Sequence, residues 1–283
     1  MTLEGISGCG IGIRREFLQD LNHSDVKPDW IEITPENWID MPFKLREDFY
    51  TTVTSLNTIA HGLSLSIGSP EPIEEKKLSG LRNFFNEYGI KHYSEHLSFS
   101  TWNGTQTYEL LPVPMTLPMA DFIADKIKRV MDYLGMPVIM ENATYYFQPY
   151  SEMPEFEFIN LVLQKADCPL LLDVNNVFVN SLNHKFNPFE FIHNLNLART
   201  AYIHTAGHTY FPDDDITIDT HGSAVSPKVW ELLLHTLRLN PAPVMIERDH
   251  NIPPFDEVIS EYNYLKTIMM ESNKIPFPEK LHV

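Results

Sequence analysis

Short apolar stretches alternate with longer amphipathic ones along almost the whole chain. The short stretches predict strands at Ile11–Arg14, Trp30–Ile33, Thr58–Gly62, His92–His96, Val138–Asn142, Leu170–Val174, Thr200–His204 and Val244–Arg248. Between them, Glu16–Leu21, Phe43–Leu56, Ile73–Tyr88, Met119–Leu134, Glu155–Ala166, Pro188–Leu195, Pro227–Leu237 and Phe255–Met270 carry helical spacing. Phe122, Ile123, Ile127, Val130 and Leu134, three and four apart, mark one such apolar face. Turn signals at Asp40-Met41-Pro42, Tyr88-Gly89, Leu134-Gly135-Met136-Pro137 and Asn240-Pro241 separate the elements. Strands alternating with helices imply a parallel sheet with crossover helices, and eight such pairs match a (β/α)8 TIM barrel. Longer insertions follow the fourth strand (Ser98 to Leu117) and the seventh (Thr205 to Ser226), but no Pro/Gly/Ser-rich linker divides the chain. A single α/β domain spanning residues 1–283 is therefore expected.

Composition narrows the function classes. Hydrophobic residues are 43% and charged residues 21%, which supports a sizeable core and excludes a disordered chain. Lys and Arg total 21 against 38 Asp and Glu, a net charge of −17 that repels polyanions at long range. The densest basic stretch, Lys126-Ile127-Lys128-Arg129, reads as one helix face, so no nucleic-acid partner is expected. No apolar run approaches the ~20 residues a membrane helix needs. The start, Met1-Thr2-Leu3-Glu4-Gly5, lacks the pattern of a signal peptide. Cys9 and Cys168 suggest no disulfide framework, so a reduced, cytoplasmic setting is expected.

The strand ends carry the candidate chemistry: Glu32, His61, Glu95-His96, Glu141, Asp173, His204 and Glu247 each close an apolar run. In a parallel barrel the carboxyl ends open on one face, where the βα loops build the active site. Converging carboxylates repel one another unless positive charge lies between them, and imidazoles are the other common ligands for divalent transition metals. Glu141, Asp173 and Glu247 with His61, His96 and His204 are too many for one tetrahedral ion and suit a multinuclear centre with bridging carboxylates. Iron, manganese or zinc fit this N/O set better than calcium or magnesium. Asp219 and His221, two apart on a segment read as extended, point the same way, and the Asn176 amide oxygen offers a neutral ligand near Asp173.

Taken in order, His61-Gly62-Leu63-Ser64-Leu65-Ser66-Ile67-Gly68, Ser94-Glu95-His96-Leu97-Ser98, Glu141-Asn142-Ala143, Asp173-Val174-Asn175-Asn176, His204-Thr205-Ala206-Gly207-His208, Asp219-Thr220-His221-Gly222 and Glu247-Arg248-Asp249 resemble one family. It is the multinuclear non-heme iron-dependent oxidative enzymes, typified by the methanobactin-biosynthesis oxidase, and the resemblance runs from about Gly10 to Asp249. It implies a xylose-isomerase-like TIM barrel. One iron would lie on His61 and His96, with Glu141 bridging to a second held by Asp173, His204 and Glu247. Asn176, Asp219 and His221 would hold a third. The cofactor implied is two or three irons in a mixed Fe(II)/Fe(III) state, with O2 as co-substrate. The substrate implied is a ribosomally made precursor peptide, commonly modified at cysteine, and a separate leader-recognition protein is a plausible partner.

His208, four residues beyond His204, is expected to contact substrate or support a ligand, with direct ligation or a structural role as the alternatives, and with Arg14 it is a candidate catalytic residue. Arg14 could pair with a substrate carboxylate, with a ligand carboxylate, or in a salt bridge at the barrel mouth. Tyr145, Tyr146 and Phe147 are candidate pocket residues or core, and Asp213-Asp214-Asp215 reads as a solvated loop. His23, His184, His193, His235 and His282 default to surface or packing roles. Two enzyme rivals use related layouts. Phosphodiester hydrolysis of the apurinic endonuclease type is opposed by the net charge and by Asn176, where that zinc family would carry a histidine. Sugar isomerisation usually wants a strand-end lysine, which none of the eight strands offers. A barrel that merely stores metal is the non-enzymatic rival.

Overall fold

The computed structural model describes residues 3–272 and residue 274. Its centre is eight strands: β1 (Cys9–Gly12), β2 (Trp30–Ile33), β3 (Thr58–Gly62), β4 (His92–His96), β5 (Val138–Glu141), β6 (Leu170–Asp173), β7 (Thr200–Thr205) and β8 (Val244–Ile246). Each pairs in parallel with the next, and β8 closes onto β1. The expected TIM barrel is the observed fold. No helix among the described residues is long and apolar enough to cross a membrane.

Side chains alternate between two apolar layers, as the two-residue period of a strand requires. Inside the barrel lie Trp30, Ile59, Ile139, Leu171, Tyr202 and Met245, with Ile6 below them. Outside, residues such as Ile31, Ala60, Tyr93, Met140, Leu172 and Ile203 pack against the surrounding helices. Two positions beyond each inner residue stand Glu32, His61, Glu141, Asp173, His204 and Glu247. The same alternation that fills the barrel thus raises a ring of ionisable groups at its carboxyl end. Gly10 makes room below: a Cβ there would lie 2.6 Å from the Trp30 ring, so only glycine lets this indole fill the axis.

Departures from the sequence pattern have local causes. β1 begins at Cys9 and ends at Gly12, because glycines mute the apolar signal, and Arg14 falls in the following loop. Val174 does not extend β6; it opens a helix, Val174–His184. The Asp173 carboxylate caps that helix by accepting from Asn176 N at 2.7 Å. The insertion after β4 holds an antiparallel hairpin, Phe99–Trp102 with Thr105–Leu111, turned at Asn103-Gly104 with φ of 51° and 72°. The one after β7 holds Thr209–Phe211 with Ile216–Ile218, and the Asp213-Asp214-Asp215 run is its exposed tip.

Candidate metal centre

β3, β4 and β5 deliver the first cluster. Register sets His96 opposite Glu141 and His61 opposite Ser94. His96 Nδ1 lies 3.0 Å from the carbonyl of Gly62, an acceptor only, so it donates there and a neutral ring bares Nε2. Glu141 Oε2 sits 3.0 Å from His96 Nε2 and 3.1 Å from His61 Nε2, and the two nitrogens are 3.3 Å apart. Three buried donor atoms at such separations match the edges of a ligand shell with bonds of about 2.0–2.2 Å.

The other oxygen of Glu141 faces a second cluster. His204 Nδ1 lies 3.3 Å from Glu141 Oε1, 2.9 Å from Glu247 Oε2 and 4.0 Å from Asp173 Oδ2. Asp173 divides its labour: Oδ1 caps the helix, while Oδ2 is buried without a hydrogen-bond partner. Asn142 fixes the strand ends behind it, donating to Asp173 O at 3.0 Å and accepting from Asp173 N at 2.9 Å.

His221 forms a third corner. It adopts φ 45°, so the Asp219-Thr220-His221 segment is not the simple extended run expected, although the two side chains do meet. His221 Nε2 is 2.7 Å from Asp219 Oδ1 and 3.9 Å from Asp173 Oδ2. Its Nδ1 is 3.2 Å from both Glu247 Oε2 and Asp249 Oδ2. Asn176 Oδ1 and Asp219 Oδ2 are joined through the Thr144 hydroxyl, at 2.9 and 3.1 Å.

These groups can hold metal ions. His61, His96 and Glu141 form one candidate set; Glu141, Asp173, His204 and Glu247 a second; His221, Glu247 and Asp249 a third. Glu141 Oε2, Asp173 Oδ2, His204 Nδ1 and His221 Nε2 are all buried without a hydrogen bond, and all face this centre. Each such atom costs about 1–3 kcal/mol, so four together call for a shared positive partner. Without metal, protons must supply it. Burial opposes charging His61, His96, His204 and His221, yet the adjacent carboxylates win and raise all four, His96 to about 9. Burial also opposes ionisation of Glu141 and Glu247, but His96 and His61 hold the first low, as His204 and His221 do the second. Asp173, where burial dominates, is raised well above the usual range.

The sign of the resulting pH dependence is fixed. Histidines raised in the fold contribute stability that is complete below their ordinary value of about 6.5. That contribution is lost as pH rises toward the His96 value of about 9. Asp173 acts in the same sense. Metal-free protein should therefore lose thermal stability between these limits, while metal-loaded protein, whose ions replace the protons, should lose less and load more tightly as pH rises. Melting curves of both forms across this range check it; parallel slopes would contradict it.

The description RiPP precursor modification enzyme MbnB/TglH/ChrH matches residues 8–270. The chain belongs to this family. The UPF0276 protein of Acinetobacter baylyi is 40% identical over 268 residues, covering 94% of this chain and 93% of that one. A UPF0276 protein of Pseudomonas aeruginosa is 38% identical over 276 residues, covering 97% and 96%. Among solved structures, endonuclease IV from Thermus thermophilus superposes with a TM-score of 0.60 at 13% identity, covering 94% of this chain and 100% of that one. A D-psicose 3-epimerase gives 0.56 at 11%, covering 94% and 98%. Likeness at such identity shows the shared barrel fold alone.

Within this family member, the remaining candidates lie around the centre. His208 Nδ1 bonds Asn175 Oδ1 at 2.8 Å, and Asn175 Nδ2 donates to Asp219 Oδ1 at 2.6 Å, so His208 backs Asp219 from one residue away. Burial lowers its pKa. Arg14 donates to Asp249 and stands 3.9 Å from Glu247, a salt-bridge contact at the barrel mouth. Tyr146 Oη accepts from Asp219 N at 3.1 Å, Tyr145 is buried against His184, and Phe147 is exposed. His23 bonds the Gln19 carbonyl, His193 pairs with His235, and His282 lies outside the described residues. Cys9 and Cys168 are buried free thiols. Asp249 joins His221 and Glu247 in the third candidate set, and its place two residues beyond Glu247 is the signal the sequence carries for it.

Proposed function

We propose that this chain oxidises a side chain, commonly cysteine, of a ribosomally made precursor peptide, using dioxygen and two or three irons. The carrying observation is the set of buried donor atoms without partners around Glu141, whose two oxygens face two different histidine clusters. Membership of a family of peptide-modifying enzymes supports peptide as the substrate class. Mixed imidazole and carboxylate donors suit iron. When bound, iron would supply a soft acceptor for a thiolate and the electrons that dioxygen activation needs.

The protein's own part is positional. Gly62 O turns the His96 ring, the helix cap holds Asp173, and Asn175 with Thr144 orients Asp219. A cleft of about 430 Å³, lined by Arg14, Arg15, Trp38, Leu63, Glu247 and Asp249 among others, opens beside Glu247 and gives a peptide side chain an approach. Salt-bridging of Arg14 to Asp249 tethers the wall of that cleft to the metal centre. A separate leader-recognition protein belongs to the same reading.

The test is mass spectrometry of a cysteine-bearing peptide encoded beside this chain, incubated aerobically with iron-loaded protein and any co-encoded partner. The expected result is a mass change that needs both iron and O2. An unchanged peptide, together with cleavage of an abasic DNA duplex, would replace the oxidase with a hydrolase.

A further inference from the structure

Beneath the ligand ring, the barrel interior carries polar groups that touch the candidate ligands from behind. Glu32, Ser94 and Tyr202 are all buried there, with exposures of 3%, 0% and 0%. Tyr202 Oη donates to Glu32 Oε2 at 2.7 Å, and His204 Nε2 lies 3.0 Å from that same oxygen. A carboxylate oxygen already accepting the phenol proton has none to give, so His204 Nε2 carries the hydrogen. Its Nδ1 is then the nitrogen left to face Glu247 and Glu141.

The chain continues the other way. Ser94 Oγ is 2.7 Å from Tyr202 Oη and 2.8 Å from His61 Nδ1. The one phenol proton is committed to Glu32, so Ser94 donates to Tyr202 and accepts from His61 Nδ1–H. The 3.4 Å contact from Ser94 to Ala60 O is too long to compete. His61 is thereby left to present Nε2 toward Glu141. One line of protons, from His61 through Ser94 and Tyr202 to Glu32, met there by His204, sets both rings.

We propose that Glu32, Tyr202 and Ser94 are positioning residues that fix the tautomers of His61 and His204 together, coupling the filling of the two metal positions that share Glu141. This rests on the metal centre of the proposed function. The strut stands where TIM barrels usually stack branched apolar side chains. Burying a carboxylate and a phenol there carries a desolvation cost that packing alone does not require. Register explains how it forms: Ser94 is the β4 neighbour of His61, and Tyr202 and His204 lie two apart on one face of β7.

The experiment is anaerobic titration of metal-free protein with Fe(II), and in parallel with Co(II), whose visible absorption reports ligation. Wild-type protein should fill the two positions in a linked manner. Glu32→Gln, which keeps an acceptor but removes its charge, should weaken the His204 position about 10- to 100-fold, the range usual for such supporting partners. Tyr202→Phe, which leaves Glu32 to accept from His204 but breaks the link to Ser94, should weaken the His204 position less and unlink the two binding steps. Should that variant not fold, Ser94→Ala against Ser94→Thr carries the comparison: alanine should unlink the steps and threonine restore them. Variants that melt earlier yet bind both metals with wild-type affinity and linkage would overturn the inference alone. Wild-type protein that takes up no second metal would overturn the metal centre and the inference with it.

Discussion

Glu141→Gln is expected to cost the protein metal at two positions at once and to lower peptide turnover on the order of 10³-fold, the several kcal/mol a correctly held ion contributes. Its Oε2 faces His96 and His61, at 3.0 and 3.1 Å, while Oε1 faces His204 at 3.3 Å. An amide can offer only one oxygen and no charge, so it cannot serve both sides. Asn176→Ala is the contrasting variant: the Asn176 side chain bonds Thr144 and the Asn142 carbonyl and reaches the His221 corner through Thr144 and Asp219, while its bond to Asp173 is made by the backbone N–H that alanine keeps. It should reduce metal at that corner and spare the other two. Metal quantification on folded, metal-loaded variants checks both; two variants with wild-type metal content would overturn the ligand assignment.

Exchanging the peptide's cysteine for serine should abolish turnover, a loss of at least about 10³-fold in kcat, rather than merely weaken binding. The argument is the donor set. The His221 corner offers an imidazole, carboxylates and the neutral Asn176 amide nearby, all hard or borderline donors. A thiolate would be the soft, strongly donating ligand of the centre, and a serine hydroxyl remains protonated and hard near neutral pH. Kinetics with the two peptides, following product mass and O2 uptake together, decide it. Comparable turnover of the serine peptide would remove sulfur from the mechanism.

Much of this was legible in the chain because two periods coincide. In β2 and β3 apolar residues and an ionisable one stand in one strand, and Trp30–Ile33, Thr58–Gly62 and the more polar His92–His96 are read with their true bounds. β1 was blurred because Gly10 and Gly12 leave space for other residues' side chains instead of contributing their own. The helix Val174–His184 was hidden by Val174, Val177, Phe178 and Val179, which favour strands in isolation, while four asparagines disfavour a helix. It is the Asp173 cap and burial on nearly all sides that impose it. The hairpin at Asn103-Gly104 turns on a dipeptide that prefers such a conformation, a local signal inside what otherwise looks like one long insertion. Glu32 was visible as a strand end, but its partner Tyr202 is 170 residues away, and no local pattern links them. His221 met Asp219 as expected, through a left-handed backbone that spacing does not reveal.

The central claim, a multinuclear iron centre around Glu141, is tested most directly by the metal content of protein produced with ample iron and purified without oxygen. The account predicts at least two irons per chain, because Glu141 divides its oxygens between two clusters that each bury histidine. One ion or fewer per chain, or stoichiometric zinc with no uptake of iron, would contradict it.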